Sequence, residues 1–231
     1  MKKLLVGLLV LALLLVGADI AARLVAERVL ASTLQQRLSL PQRPDVSIGG
    51  FSVLVQAVRG TYDEVRVEAL GVPTDNIGQL DYLLTFNGID LPISKLVNQD
   101  VSGTTARSAT AEVSVSEQTL SDLAGRPIAV SSGQGGAVQL ETTYDIAGAS
   151  VDLQVTADVQ VQGEQVVIDV QDVSAAGVTI PSSVIGAVAD AIGVNFPLPP
   201  AIRGLTLTDV TARDGAIILH AQGNDVPLSG A

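Results

Sequence analysis

Val151-Asp152-Leu153-Gln154-Val155-Thr156-Ala157-Asp158-Val159-Gln160-Val161 alternates between apolar and polar residues without a break. Successive side chains of a strand point to opposite faces, so this period of two sets the valines, Leu153 and Ala157 against the acids, amides and Thr156. One covered face and one wet face favour antiparallel pairing, because the strands of parallel sheets are buried on both sides. Gln162-Gly163-Glu164 then turns the chain into a second strand, Gln165 to Val173.

The same pattern recurs upstream. Val138, Leu140, Tyr144 and Ile146 oppose Gln139, Glu141, Thr143 and Asp145, and Ala109, Ala111, Val113 and Val115 oppose Ser108, Thr110, Glu112 and Ser114. Leu80, Tyr82, Leu84 and Phe86 share a face, as do Val65, Val67 and Ala69 against Glu64, Arg66 and Glu68. With a short strand from Asp45 to Ile48 and a terminal pair, Leu205 to Ala212 and Ala216 to Ala221, about eight strands are expected. Short helices interrupt them at Ser52 to Val58, Ser94 to Asn98, Ser116 to Ala124 and Pro181 to Ile192. Ser116 is placed to cap its helix and Gly125 to stop it. In the last of these helices, Val184, Ile185, Ala187, Val188, Ala191 and Ile192 surround one charge, Asp190, so it is either a core plug or a wall of a cavity.

The N-terminus carries a different message. Lys2 and Lys3 precede an apolar run from Leu4 to Ala18, shorter than the ~20 residues that span a bilayer, and Val16-Gly17-Ala18 before Asp19 has the small-x-small form of a cleavage site. The run is read as an export signal or a short tether over residues 1–18, with residues 19–231 as a single domain outside the cytoplasm. A second helix follows, predicted to bury Ile20, Leu24, Ala31, Leu34 and Leu38 and to wet Arg23, Glu27, Arg28, Gln35, Gln36 and Arg37. Pro41-Gln42-Arg43-Pro44 ends it, since proline lacks an amide hydrogen. The fold class expected is therefore α+β, mostly β, with a curved antiparallel sheet wrapped around a long N-terminal amphipathic helix.

Charge and composition exclude several functions. The formal charge is −11, and removal of Lys2 and Lys3 with the signal takes it to −13, leaving Lys95 as the sole lysine. Nucleic acid is excluded as a partner because it requires a basic footprint. There is no cysteine for a lipoprotein anchor, a disulfide or a thiolate metal site, and the single histidine, His220, is a poor basis for a hydrolytic relay. Ser132-Gly133-Gln134-Gly135-Gly136 lacks the Gly-Lys-Ser/Thr of a phosphate-binding loop. Asp63 and Glu64, adjacent in a strand, are expected on opposite faces, where they cannot act as a paired acid and base. No metal, cofactor or enzyme activity is expected.

Several segments carry a family likeness. Gly49-Gly50-Phe51, Arg59-Gly60-Thr61-Tyr62-Asp63-Glu64-Val65-Arg66-Val67, the proline-rich crossing to Gly204-Leu205-Thr206-Leu207, and the ending from Asp214-Gly215 to Asp225-Val226-Pro227-Leu228 together resemble the LmeA family of actinobacterial cell-envelope phospholipid-binding proteins. The resemblance implies an exported, periplasmic or envelope protein that binds phospholipid. It also implies work at a membrane surface in envelope lipid or lipoglycan maintenance, with an envelope glycosyltransferase as a candidate protein partner. Its fold would be similar to tubular lipid-binding folds. Phe51, Tyr82, Phe86, Tyr144, Val184, Ile185, Val188, Ile192 and Phe196 are the candidates to line an apolar groove; Arg59, Arg66 and Arg203 are those for a head group. The competing function is a noncatalytic scaffold that stabilises a membrane-associated enzyme without binding lipid.

Overall fold

The computed structural model describes residues 2–74, 77–98, 102–133, 137–146, 149–162, 165–175, 180, 185–186, 195–197, 204–213 and 215–228. Helices α1 (Lys2–Arg37), α2 (Val53–Arg59), α3 (Ile93–Val97) and α4 (Glu117–Ala124) accompany eleven strands among these residues. The strands are β1 (Asp45–Ile48), β2 (Thr61–Thr74), β3 (Gly78–Asp90), β4 (Thr105–Ser116), β5 (Ile128–Ser132), β6 (Val138–Ile146), β7 (Ala149–Gln162), β8 (Gln165–Ser174), β9 (Asn195–Pro197), β10 (Thr206–Arg213) and β11 (Ala216–Pro227). They form two open antiparallel sheets, ordered β1-β2-β3-β4-β11-β10 and β5-β6-β7-β8-β9, neither closed into a barrel. The fold is mostly β, with a long N-terminal helix, as expected.

The chain divides into two compact units. The first comprises residues 1–69, 84–109 and 224–231, the second residues 70–83 and 110–223, and β2, β3, β4 and β11 contribute residues to both.

In the second unit the alternation of β7 is realised. Leu153, Val155 and Ala157 are fully buried while Asp152, Gln154 and Asp158 are exposed. Leu140 lies opposite Val155, Val155 opposite Val173, and the β7–β8 hairpin closes at Gln162 opposite Gln165. Buried apolar cross-strand pairs of this kind are the units from which a one-sided sheet gains its stability. The strand β5 was not expected from the sequence: Ile128 and Val130 are buried, but the run is short and follows Arg126-Pro127, which reads as a break. It is secured by pairing with β6 and by Ser121, whose hydroxyl accepts the Ile128 amide at 2.8 Å. The helix α4 has the ends expected: the Ser116 hydroxyl accepts the Thr119 amide, and Gly125 takes a left-handed conformation with φ of 65°. The predicted helix Pro181 to Ile192 lies outside the described residues except for Ile185 and Gly186, which are helical.

In the first unit, the separate signal helix and amphipathic helix are one uninterrupted helix, α1. No proline stands near the Ala18–Asp19 junction, and Asp19 directs its carboxylate to Ser52 and Leu54 rather than to capping a new helix, so the helix propagates through it. Its docked face is only partly the one expected, since Ala31 is buried and Leu34 half-buried as predicted, but three of the five residues are not. Ile20, Leu24 and Leu38 are 55%, 51% and 58% exposed, whereas Ala22, Arg23, Ala26, Glu27, Leu30 and Ala31 face inward. The alanines let the helix approach β1 and α2 closely, and the charged residues satisfy backbone groups there, which outweighs burial of the larger apolar stripe. The core beneath contains Ile48, Val53, Tyr62, Ile89 and Ala106, with Ala26, Val65, Phe86, Leu91 and Leu228 half-buried against it.

The exposure of Leu24 separates it from Ala31, with which it shares the predicted face. Leu24→Ala is expected to shift unfolding free energy by less than about 0.5 kcal/mol, the usual limit for exposed positions. Ala31→Arg, at a site only 5% exposed, is expected to cost about 1–3 kcal/mol by overpacking. Urea midpoints of the two variants in the same detergent check the order, and a larger loss in Leu24→Ala would return the sequence-predicted face to the interior.

Candidate functional site

The segment Gly49-Gly50-Phe51-Ser52 joins β1 to α2, and α1 holds it at three successive turns. Asp19, Arg23 and Glu27 are four residues apart and therefore stacked on one side of the helix. The carboxylate of Glu27 accepts the Ile48 amide at 2.9 Å, the Arg23 guanidinium donates to the Gly50 carbonyl at 2.8 Å, and Asp19 accepts from the Ser52 hydroxyl at 2.7 Å and the Leu54 amide at 2.9 Å. The Ser52 hydroxyl in turn accepts the Val55 amide at 3.2 Å. Two of the orphan amides at the start of α2 are thereby satisfied, one by its own cap and one by α1.

Gln56 secures the other side of α2. It is 5% exposed; its amide nitrogen donates to the Gly49 carbonyl at 2.9 Å and its oxygen accepts the Asp63 amide at 2.8 Å. The Gly49 amide donates to the Glu64 carbonyl at 2.9 Å. The burial alternation of β2 slips here: Tyr62 is buried, and Asp63 and Glu64 are both exposed. Gly50 has φ of 95°, and a β-carbon there would stand 2.4 Å from Asp63 Oδ2 and 2.7 Å from Gln56 Nε2. Only glycine fits that turn. At the far end Gly60, with φ of 73°, donates to the Gln56 carbonyl and accepts the Leu91 amide, both at 2.8 Å.

Held in this way, α2 turns its apolar side outward. Phe51 is 97% exposed, Val58 83%, Val55 43% and Leu54 42%. The sequence named Phe51 as a groove lining, and the structure places it at the surface. Phe86 is half-buried against the first unit's core, whereas Tyr82 belongs to the second unit, is buried, and has its hydroxyl pushed up to about 12 by desolvation. Tyr144 is half-buried with the Arg126 guanidinium 4.8 Å from its ring centre. Ile185 is 39% exposed, and Phe196 lies in β9 with its backbone opposite Val166. Val184, Val188, Ile192 and Arg203 lie outside the described residues. Arg59 ends α2 and Arg66 lies on the outer face of β2, both exposed. The described candidates are divided between the two units, Phe51, Phe86, Arg59 and Arg66 in the first and Tyr82, Tyr144, Ile185 and Phe196 in the second.

Tyr62 was missed as a site candidate. Its hydroxyl is buried in the first unit's core and has no hydrogen-bond partner among the described residues; burial raises its pKa. The slip of register just after it hides its inward orientation from a reading by strict alternation.

The surroundings of His220 favour a surface role. Its Nε2 is 3.0 Å from the Thr211 hydroxyl, but Nδ1 is 3.8 Å from Glu112, beyond hydrogen-bond reach, and Glu112 is 44% exposed. Among the described residues there is no group of His, Asp and Glu arranged to hold a metal ion.

The sequence matches the family model described as LmeA-like phospholipid-binding over residues 17–222. No curated protein and no solved structure matches it.

Asp19 makes the α1–α2 connection pH-dependent. Its carboxyl is held below the ordinary value of 3.8 by the Leu54 amide first, then by the Ser52 hydroxyl, against a smaller upward push from desolvation. A depressed carboxylate adds stability that is complete above the unfolded value and is lost as pH falls through the lower folded value. Hydrogen-exchange protection of the Leu54 amide is therefore expected to hold at neutral pH and to fall below pH 3.8. Asp19→Asn retains an acceptor oxygen and should flatten this dependence, whereas Asp19→Ala should lose the protection at every pH.

Proposed function

We infer the function from membership: the chain belongs to the LmeA-like phospholipid-binding family, and we propose that it is a noncatalytic phospholipid-binding protein of the cell envelope that sequesters acyl chains along an apolar strip of its sheet. The match over residues 17–222 carries this reading. It takes in the docked half of α1, the Gly49–Ser52 turn and both sheets, and omits most of the apolar leader.

Two features of the first unit support an acyl-chain site. Val65, Val67, Leu84 and Phe86, in the middle reaches of β2 and β3, are only half-buried, while Ile48, Tyr62 and Ile89 beside them are buried. An acyl chain laid on that strip would gain about 0.8 kcal/mol per methylene removed from water. The Tyr62 hydroxyl, buried without a partner among the described residues, costs about 1–3 kcal/mol as it stands and would recover it by donating to an ester or phosphate oxygen. Arg59 and Arg66 are the accessible cations of the same unit for the head group.

The apolar leader is compatible with export or membrane association: α1 includes a helix long and apolar enough to cross a bilayer near the N-terminus. We propose that the protein acts on the outer side of the cytoplasmic membrane in lipid or lipoglycan maintenance, with an envelope glycosyltransferase as the kind of enzyme it would supply.

The test is whether lipid is bound. Protein beginning at Asp19, purified without detergent and checked for folding by circular dichroism, is extracted with organic solvent and analysed by mass spectrometry. A stoichiometric phospholipid is expected, and Phe86→Ser should reduce uptake from vesicles by about tenfold, or 1.4 kcal/mol, measured at a temperature where circular dichroism shows the variant, destabilised by loss of a half-buried side chain, still folded. Folded protein that carries no phospholipid and takes up none would leave the scaffold function in its place.

A further inference from the structure

Among the described residues the outward side of α2 has no partner within the first unit, and its position along α1 says what covers it. Phe51, Leu54, Val55 and Val58 present a contiguous apolar surface, led by a phenylalanine 97% exposed and a valine 83% exposed. Large exposed apolar patches mark interaction sites, since a free surface seldom retains them. The Asp19 carboxylate accepts from Ser52 and Leu54, so the start of α2 is fixed at the level of Asp19. That level is where the leader's apolar run ends: every residue from Val6 to Ala18 is exposed, and the first acid of the chain follows at once. A helix needs ~20 residues to cross the hydrocarbon, and counted from Leu4 these end at Arg23, one turn past Asp19, so the start of α2 lies within about a turn of the outer boundary.

We propose that Phe51, Leu54, Val55 and Val58 form a wedge that inserts into the outer interfacial layer of the lipid bilayer beside the point where α1 enters it. An amphipathic segment lying in the interface buries its apolar side at the boundary of the acyl chains and keeps its polar side in water. The element α2 has that form, with Gln56 turned into the protein and Arg59 in its last turn at the head-group level. The wedge brings the lipid-binding strip of the same unit to the membrane from which lipid is taken, and in that respect it rests on the function proposed above.

The cysteine-free chain allows a direct test. Full-length protein carrying Phe51→Cys, Val58→Cys or, as a reference, Asp45→Cys on the exposed side of β1 is labelled with an environment-sensitive fluorophore. It is then placed at one copy per nanodisc of phosphatidylcholine and phosphatidylglycerol. Labels at residues 51 and 58 are expected to shift to the blue and to be quenched severalfold more by acyl-chain nitroxides than by iodide, with the order reversed at residue 45. Labels at 51 and 58 that remain as open to iodide as the label at 45 overturn the wedge. So does burial seen only at two copies per disc, which assigns the patch to a second copy of the chain. Phospholipid uptake measured on the same proteins separates the two proposals: uptake with wet labels removes the wedge alone, and dry labels without uptake retain the wedge and remove the lipid carrier.

Discussion

Three hydrogen-bonding turns of α1 govern the first unit. Asp19, Arg23 and Glu27 reach the backbone from Ile48 to Leu54 where it leaves β1 and has not yet entered α2. Backbone groups in such a turn are costly to bury unpaired, and glycines at 49 and 50 leave the turn without side chains that could serve them locally. The long helix supplies the missing partners. Its small residues, Ala22, Ala26 and Ala31, then allow the approach that those bonds require.

That arrangement explains why the larger apolar residues of α1 face out. A helix whose polar residues are occupied by a turn cannot also bury Ile20 and Leu24, which lie on another side of it. In water such a helix would waste its apolar surface. At a membrane the same exposure is an asset, because the apolar leader and the outward apolar residues of α2 meet a phase that accepts them. The polarity of the docked side and the apolarity of the free side are two results of one choice of partner.

The sheets were legible where packing alone decides conformation. The alternation of β7 identifies its buried residues directly, since Leu153, Val155 and Ala157 need only a covered face, and Ser116 and Gly125 mark the ends of α4 by local capping chemistry. Legibility failed where a residue's partner is distant in the chain. Nothing near Arg23 or Glu27 announces a carbonyl and an amide more than twenty residues away. The apolar strength of Ile20 and Leu24 therefore misdirects the reading of the helix. The slip after Tyr62 is of the same kind, since it is stabilised by Gln56 from another element. Of the site residues proposed from sequence, Phe86 is half-buried against the first unit's core and Phe51 is exposed.

The overall charge sharpens the membrane reading. A chain of formal charge −11 is repelled by anionic lipid, where each basic residue near the surface would ordinarily contribute about 1 kcal/mol of attraction. Net charge therefore does not supply the attachment. Apolar insertion remains, and a single well-buried Phe, Leu or Val gains about 1.5–3 kcal/mol, enough to offset several unfavourable charges. The sequence concentrates such residues at the tip held by Asp19, and it places the carboxylates Glu64 and Glu68 along the exposed side of β2. Basic and acidic residues nearly balance in the first unit, with Arg66 between Glu64 and Glu68, so contact by its apolar tip relieves exposed apolar surface with little charge opposing it.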